Sequence, residues 1–143
     1  MIHIRKAEIL DIYTVLDLMQ DCNDKYNLGI EYSTKLQNTL QSFIKASRIN
    51  LLVKDDLVVG YVILTDYVTL FNVYELGIIS MYIKEKYLYL IRTLLRFIKE
   101  QAEILRVQNI RISTDLGFID NRLMKLLALN GYKTIGFTSL YTL

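Results

Sequence analysis

Cysteine occurs once, at Cys22, and histidine once, at His3. A single thiol excludes an internal disulfide and a thiolate metal cluster, and it fits a reducing, intracellular setting. With one histidine besides, neither a His-centred triad nor a Cys/His metal site can be assembled, so no metal is expected. Proline and tryptophan are absent. Ile, Lys, Asn and Tyr are frequent instead, a bias that follows AT-rich codons and says nothing about activity. Long apolar runs are missing too, because charges interrupt every stretch well short of the ~20 residues that a membrane span needs. The start, Met1-Ile2-His3-Ile4-Arg5, lacks the basic-then-apolar layout of a secretory signal. Charge of one sign does not dominate. Seventeen basic residues face 15 acidic ones for a net +2, too weak a field to argue for nucleic acid. The expected setting is cytoplasmic, or within a viral or phage assembly made in the cytoplasm.

What is present is apolar. The 143 residues suit one domain, 1–143, and 52% of them are hydrophobic. A filled core accounts for much of that excess, and a surface covered by a protein partner or a second copy accounts for the rest.

The longest organised stretch is Ile79 to Leu105, which reads as a buried strand, a short turn and an amphipathic helix. Leu90, Ile91, Leu94, Leu95, Ile98, Ala102 and Leu105 recur at helical spacing, with Arg92, Arg96 and Lys99 on another, solvated face. Before it, Ile2 to Arg5 alternates as a strand, and Asp11 is a candidate cap for a helix carrying Ile12, Val15, Leu16 and Met19. Ser33 is a candidate cap for a second helix from Thr34 to Ala46. Ile49 to Lys54 and Leu57 to Thr65 are β-rich runs separated by Asp55-Asp56, a hairpin signal. Asp66 to Asn72 reads as a loop and Val73 to Ile83 as a third strand. Asn109 to Thr114 is a short strand, Asp120 to Leu129 a helix stopped by Asn130-Gly131, and Tyr132 to Phe137 and Ser139 to Leu143 are β runs. The order is β-α-α-β-β-β-α-β-α-β, with room for one more strand, an α/β class with a mixed sheet. Asp21 with Asp24 and Asp55 with Asp56 are read as turn residues rather than ion ligands.

This order resembles the GNAT (Gcn5-related N-acetyltransferase) superfamily. The resemblance rests on Ile4-Arg5-Lys6-Ala7 followed by Asp11-Ile12, on Val59-Gly60-Tyr61 after a polar turn, and on Leu94-Leu95 through Ala102. Val107, Ile110-Arg111-Ile112 and Gly131-Tyr132 complete it. It implies an acyl-CoA N-acyltransferase fold in which the strand Glu75 to Ile83 bends away from its neighbour and leaves a cleft for acetyl-CoA. Backbone groups near Met81 and Ile83 would pair with the pantetheine arm, Lys86 would meet a phosphate, and Glu75 would take a proton from the incoming amine. The bland reading of Glu75 is a strand residue paired with a nearby Lys or Arg. Ser80, Tyr82 and Tyr74 would line the cleft, or simply alternate in a packed strand.

Two departures stand against the family pattern. The turn that normally reads Arg/Gln-x-x-Gly-x-Gly/Ala contains Tyr87, Leu88, Tyr89 and Ile91 and no glycine. Glycine approaches a phosphate closely, whereas a β-carbon in the left-handed region costs roughly 1–2 kcal/mol. The tyrosine that protonates the leaving thiolate falls at Leu127, which has no proton to donate. The resemblance therefore implies a divergent N-acetyltransferase using acetyl-CoA. The alternative is a GNAT-fold binding or structural subunit without catalysis, for example in a phage particle. The filled turn, the missing tyrosine, the high apolar content and the eleven tyrosines favour that alternative.

Overall fold

The computed structural model describes residues 1–27, 29, 33–112 and 121–133. Strand β1 (Ile2–Lys6) leads through a 3₁₀ turn (Ile9–Asp11) into helix α1 (Ile12–Tyr26), and helix α2 spans Thr34–Lys45. Strands β2 (Ile49–Lys54), β3 (Leu57–Val68) and β4 (Tyr74–Ile83) follow. A second 3₁₀ turn (Glu85–Leu90) opens helix α3 (Ile91–Leu105), then come β5 (Asn109–Ile112) and helix α4 (Asn121–Leu129).

The five strands form one sheet in chain order, antiparallel except for the parallel β4–β5 pair. Antiparallel neighbours need only tight turns, and Asp55 and Asp56 supply one with φ of 49° and 65°. Two left-handed residues in sequence are the geometry that matches strand twist, and aspartate tolerates it. The parallel β4–β5 step needs a crossover, which α3 provides. Helices cover both faces of the sheet, as the unbroken burial of Ile49 through Val53 on β2 requires. Helix α1 lies against β3 and β4, and α3 against β5.

Helix α3 buries the stripe Ile91, Leu94, Leu95, Ile98 and Ala102, as the 3.6-residue period demands, while Leu105 at its end stays partly exposed. Three local expectations change. Strand β3 continues to Val68, past the loop read from Asp66, because Tyr67 and Val68 pair with Glu75 and Tyr74. Asp11 stands at the N-cap position of α1, but its side chain makes no cap bond there. Its carboxylate accepts the Glu8 N–H at 2.7 Å and a two-point bond from Arg5 at 2.8 and 3.0 Å. Asp21 and Asp24 lie inside α1 rather than in a turn, since the helix runs on to Tyr26 and stops at Asn27 in the left-handed region. Ser33 caps α2 through its Oγ, which accepts the Leu36 N–H at 3.2 Å. The β runs read at the C-terminal end fall almost wholly on 134–143, outside the described residues.

Candidate active site

Strand β4 sits between β3 and β5, and its pairing changes character halfway along. From Tyr74 to Ile78 it pairs with β3 in register. Beyond that Ile63 faces Ser80 while Leu64 faces Ile78, so Ile79 has no counterpart on β3. This is a β-bulge, which bends and twists the strand and re-aims the residues beyond it. The parallel pairing with β5 covers Glu75 to Ile78. Among the described residues, no strand pairs with the outer edge of β4 from Ile79 to Ile83.

The bulge sets which side chains share a face. Glu75 and Gly77 oppose Tyr67 and Thr65, and after the extra residue Ser80 and Tyr82 oppose Ile63 and Tyr61. Ser80 Oγ and Tyr61 Oη hydrogen-bond at 2.8 Å beside the bulge. Tyr82 is buried near Asp21 and Cys22 of α1, and burial followed by the Asp21 charge pushes its phenol up to about 12. Tyr74 donates to Asp66. At Gly77 a β-carbon would lie 2.8 Å from a Tyr67 ring carbon, so the absence of a side chain there lets that ring lie across the strand.

Glu75 is 2% exposed and held by Arg111, whose Nε and Nη2 reach the carboxylate at 3.2 to 3.3 Å. The hydrogen bond that Arg111 donates to this buried carboxylate raises its own pKa above the ordinary value. The pair ties β4 to β5 across the sheet. Met81 and Ile83 are buried on the face opposite Tyr82.

The turn after β4 is unlike a glycine loop. Lys84 N–H donates to Val59 O on β3, and a 3₁₀ turn then carries the chain into α3, with Tyr87 N–H bonded to Lys84 O and Ile91 N–H to Leu88 O. No residue from 79 to 91 has a positive φ, so side chains replace glycine here without backbone strain. Leu88 and Tyr87 pack against the core, and Leu90 and Ile91 are buried in it. Tyr87 and Tyr89 lie toward the β2–β3 turn, where they line a pocket with Lys54, Asp55, Leu57 and Lys86. That is the β3 side of β4, away from β5. Of the bulky residues that the sequence placed on the pyrophosphate position, Tyr87 and Tyr89 thus line this pocket, while Leu88 and Ile91 pack into the core. Tyr89 Oη accepts from Lys54 Nζ. Lys54 escaped the sequence reading, since 35 residues separate it from Tyr89 and only the sheet register brings them together.

Leu127 is buried, as the apolar reading of that position implies. Tyr132, directly after the α4 stop, packs partly against the core, where burial raises its pKa. Among the described residues, no helix is long and apolar enough to cross a membrane.

No protein-family model matches the chain, and no curated protein does. Solved structures do. A possible acetyltransferase from Clostridium difficile 630 superposes with a TM-score of 0.74 at 18% identity, over 99% of this chain and 97% of that one. A GNAT family acetyltransferase from Staphylococcus aureus gives 0.64 at 21% identity, over 98% of each chain. A predicted acetyltransferase from Clostridium acetobutylicum, solved with acetyl-CoA, gives 0.72 at 14% identity, over 99% of this chain and 96% of that one. Likeness over almost the full length of each pair, at identities this low, is a statement about architecture: the chain has the fold of the GNAT-family acetyltransferases.

Proposed function

We propose that the protein is an N-acyltransferase that takes an acetyl group from acetyl-CoA and passes it to an amine. The observation that carries the reading is the bulge at Ile79, in the middle of β4, where the strand shifts register against β3 and stays paired with it, just as the described pairing with β5 ends. A thioester arm laid along Ile79 to Ile83 would exchange backbone hydrogen bonds with the strand edge near Met81 and Ile83, as an added strand does. Lys86 would stand near the phosphates. The acyl carbonyl would lie by the bulge, where irregular pairing leaves backbone N–H groups for a developing oxyanion.

The acceptor amine would attack the thioester carbon directly from the Ser80 and Tyr61 side. The C–S bond breaks as the C–N bond forms, the thiolate leaves with coenzyme A, and the amine proton passes to solvent. Glu75 serves this scheme as a structural clamp between β4 and β5, since its carboxylate is already gripped by Arg111. Its role as a base would require that grip to loosen. Incubation with acetyl-CoA and a panel of primary amines, read by mass spectrometry, tests the proposal. Transfer to at least one amine is expected. Glu75→Gln should lower activity only through stability, leaving the pH profile of kcat/KM in place. Absence of transfer together with absence of acetyl-CoA binding at millimolar concentration would overturn the reading.

A second reading, a binding subunit without catalysis, draws on the exposed apolar side chains of Val68, Leu70 and Phe71 around the β3–β4 turn. Native mass spectrometry at micromolar concentration separates the two. A clean monomer that transfers acetyl groups dismisses self-assembly as the function.

A further inference from the structure

The β2–β3 turn and the 3₁₀ turn before α3 border a shallow, open pocket of about 360 Å³, lined by Lys54, Asp55, Leu57, Lys86, Tyr87 and Tyr89. Two ammonium groups share one aromatic ring there. Lys54 Nζ lies 6.0 Å and Lys86 Nζ 5.8 Å from the Tyr87 ring centre, while Lys54 Nζ meets Tyr89 at its hydroxyl end, where it donates to Oη. Cations gather on the negative face of a ring, which offsets part of their mutual repulsion. The hydrogen bond to Tyr89 raises the Lys54 pKa, so this group stays charged at neutral pH. Asp55 is the one carboxylate in the lining, and its Oδ1 accepts from the Met1 ammonium at 2.5 Å. What the pocket offers a ligand is two cations beside two tyrosine rings. Ammonium groups meet phosphate as point charges, and tyrosine faces stack on any nucleobase.

We infer that this pocket binds a nucleoside phosphate, with its phosphate oxygens on Lys54 and Lys86 and its base against the Tyr87 or Tyr89 ring. The site is built from side chains and uses neither a glycine loop nor a helix terminus. Two ligands carry that chemistry: the nucleotide end of an acyl-CoA, or a free nucleotide. The first deepens the acyltransferase reading and rests on it; the second does not.

Isothermal titration calorimetry of the full chain with ADP, pyrophosphate, coenzyme A and acetyl-pantetheine tests the inference. All four side chains lie at the surface or only half-buried, so Lys54→Met, Lys86→Met and Tyr87→Leu should keep the fold, which circular dichroism checks. ADP should bind the wild type more tightly than pyrophosphate does, and Tyr87→Leu or Tyr89→Leu, whichever ring carries the base, should erase that preference. Each lysine substitution should weaken ADP by about tenfold, equivalent to ~1.4 kcal/mol, and added salt should weaken the wild type far more than the double variant that carries both Lys54→Met and Lys86→Met. If the double variant weakens coenzyme A but not acetyl-pantetheine, the ligand is the nucleotide end of an acyl-CoA. If it weakens ADP but not coenzyme A, the ligand is a free nucleotide. The inference falls if neither ADP nor coenzyme A binds at millimolar concentration. It also falls if the double variant binds both unchanged, or if ADP binds no better than pyrophosphate. Acetyl-pantetheine reports on the β4 edge alone, so loss of the acyltransferase reading and loss of this pocket give different patterns.

Discussion

Arg5 and Asp11 clip β1 to the start of α1, with a carboxylate that also receives the Glu8 N–H. The Arg5 hydrogen bond, more than the opposing burial, holds the Asp11 pKa below its ordinary value. A carboxyl whose folded pKa is depressed stabilises the fold above its unfolded pKa, and that contribution is lost as pH falls through the folded value. Asp11→Asn should therefore cost about 0.5–1 kcal/mol near neutral pH, discounted for a half-open guanidinium. The difference from wild type should vanish as denaturation is measured further below about pH 4. Glu75 and Arg111 behave differently because one partner is buried and the other is 49% exposed. Arg111→Met strands a buried carboxylate and should cost about 2–3 kcal/mol in urea denaturation. Glu75→Leu leaves only an arginine that water can reach, so it should cost less, and the double variant should recover part of the Arg111→Met loss. Cys22 is buried, and desolvation pushes its thiol up to about 11. It should react with a disulfide reagent at pH 8 only after denaturant is added.

At the scale of elements, β4, its 3₁₀ turn and α3 form one unit whose parts differ in how clearly they could be read beforehand. The α3 stripe was legible because a helix buried on one side must repeat its apolar residues every three or four positions. The missing glycines were legible too, but their consequence was not. The turn avoids the left-handed region altogether, so side chains fit without strain. Where Tyr87 and Tyr89 point depends on Lys54, which reaches them only through the sheet. The Ile79 bulge left no mark in the alternation, since Ile78 and Ile79 are the same residue and either could face the core. Gly60 shows the reverse case, a motif glycine whose reason appears only in space. A β-carbon there would lie 2.7 Å from the Tyr82 carbonyl oxygen, a backbone atom that cannot swing aside. Gly60→Ala should cost roughly 1–3 kcal/mol through forced separation of β3 from β4, seen as a lowered Tm.

For the whole molecule, the order of strands and helices was readable because each change of hydrophobic period marks a change of element. The sheet's layout follows from that order, since short turns make antiparallel neighbours and the α3 crossover makes the parallel pair. The site was readable only as a resemblance. Glu75 could be named from its strand, but its burial and its ion pair with Arg111, which joins residues 36 apart, appear only in space. The central claim is that the outer edge of β4 from Ile79 to Ile83 receives the thioester arm. Amide hydrogen exchange with and without saturating acetyl-CoA measures this directly. Exchange at Ile79 to Ile83 should slow by about tenfold or more, while the Val68–Tyr74 end of the sheet stays unchanged. Protection confined to other segments, or no protection at all with ligand in millimolar excess, would contradict it.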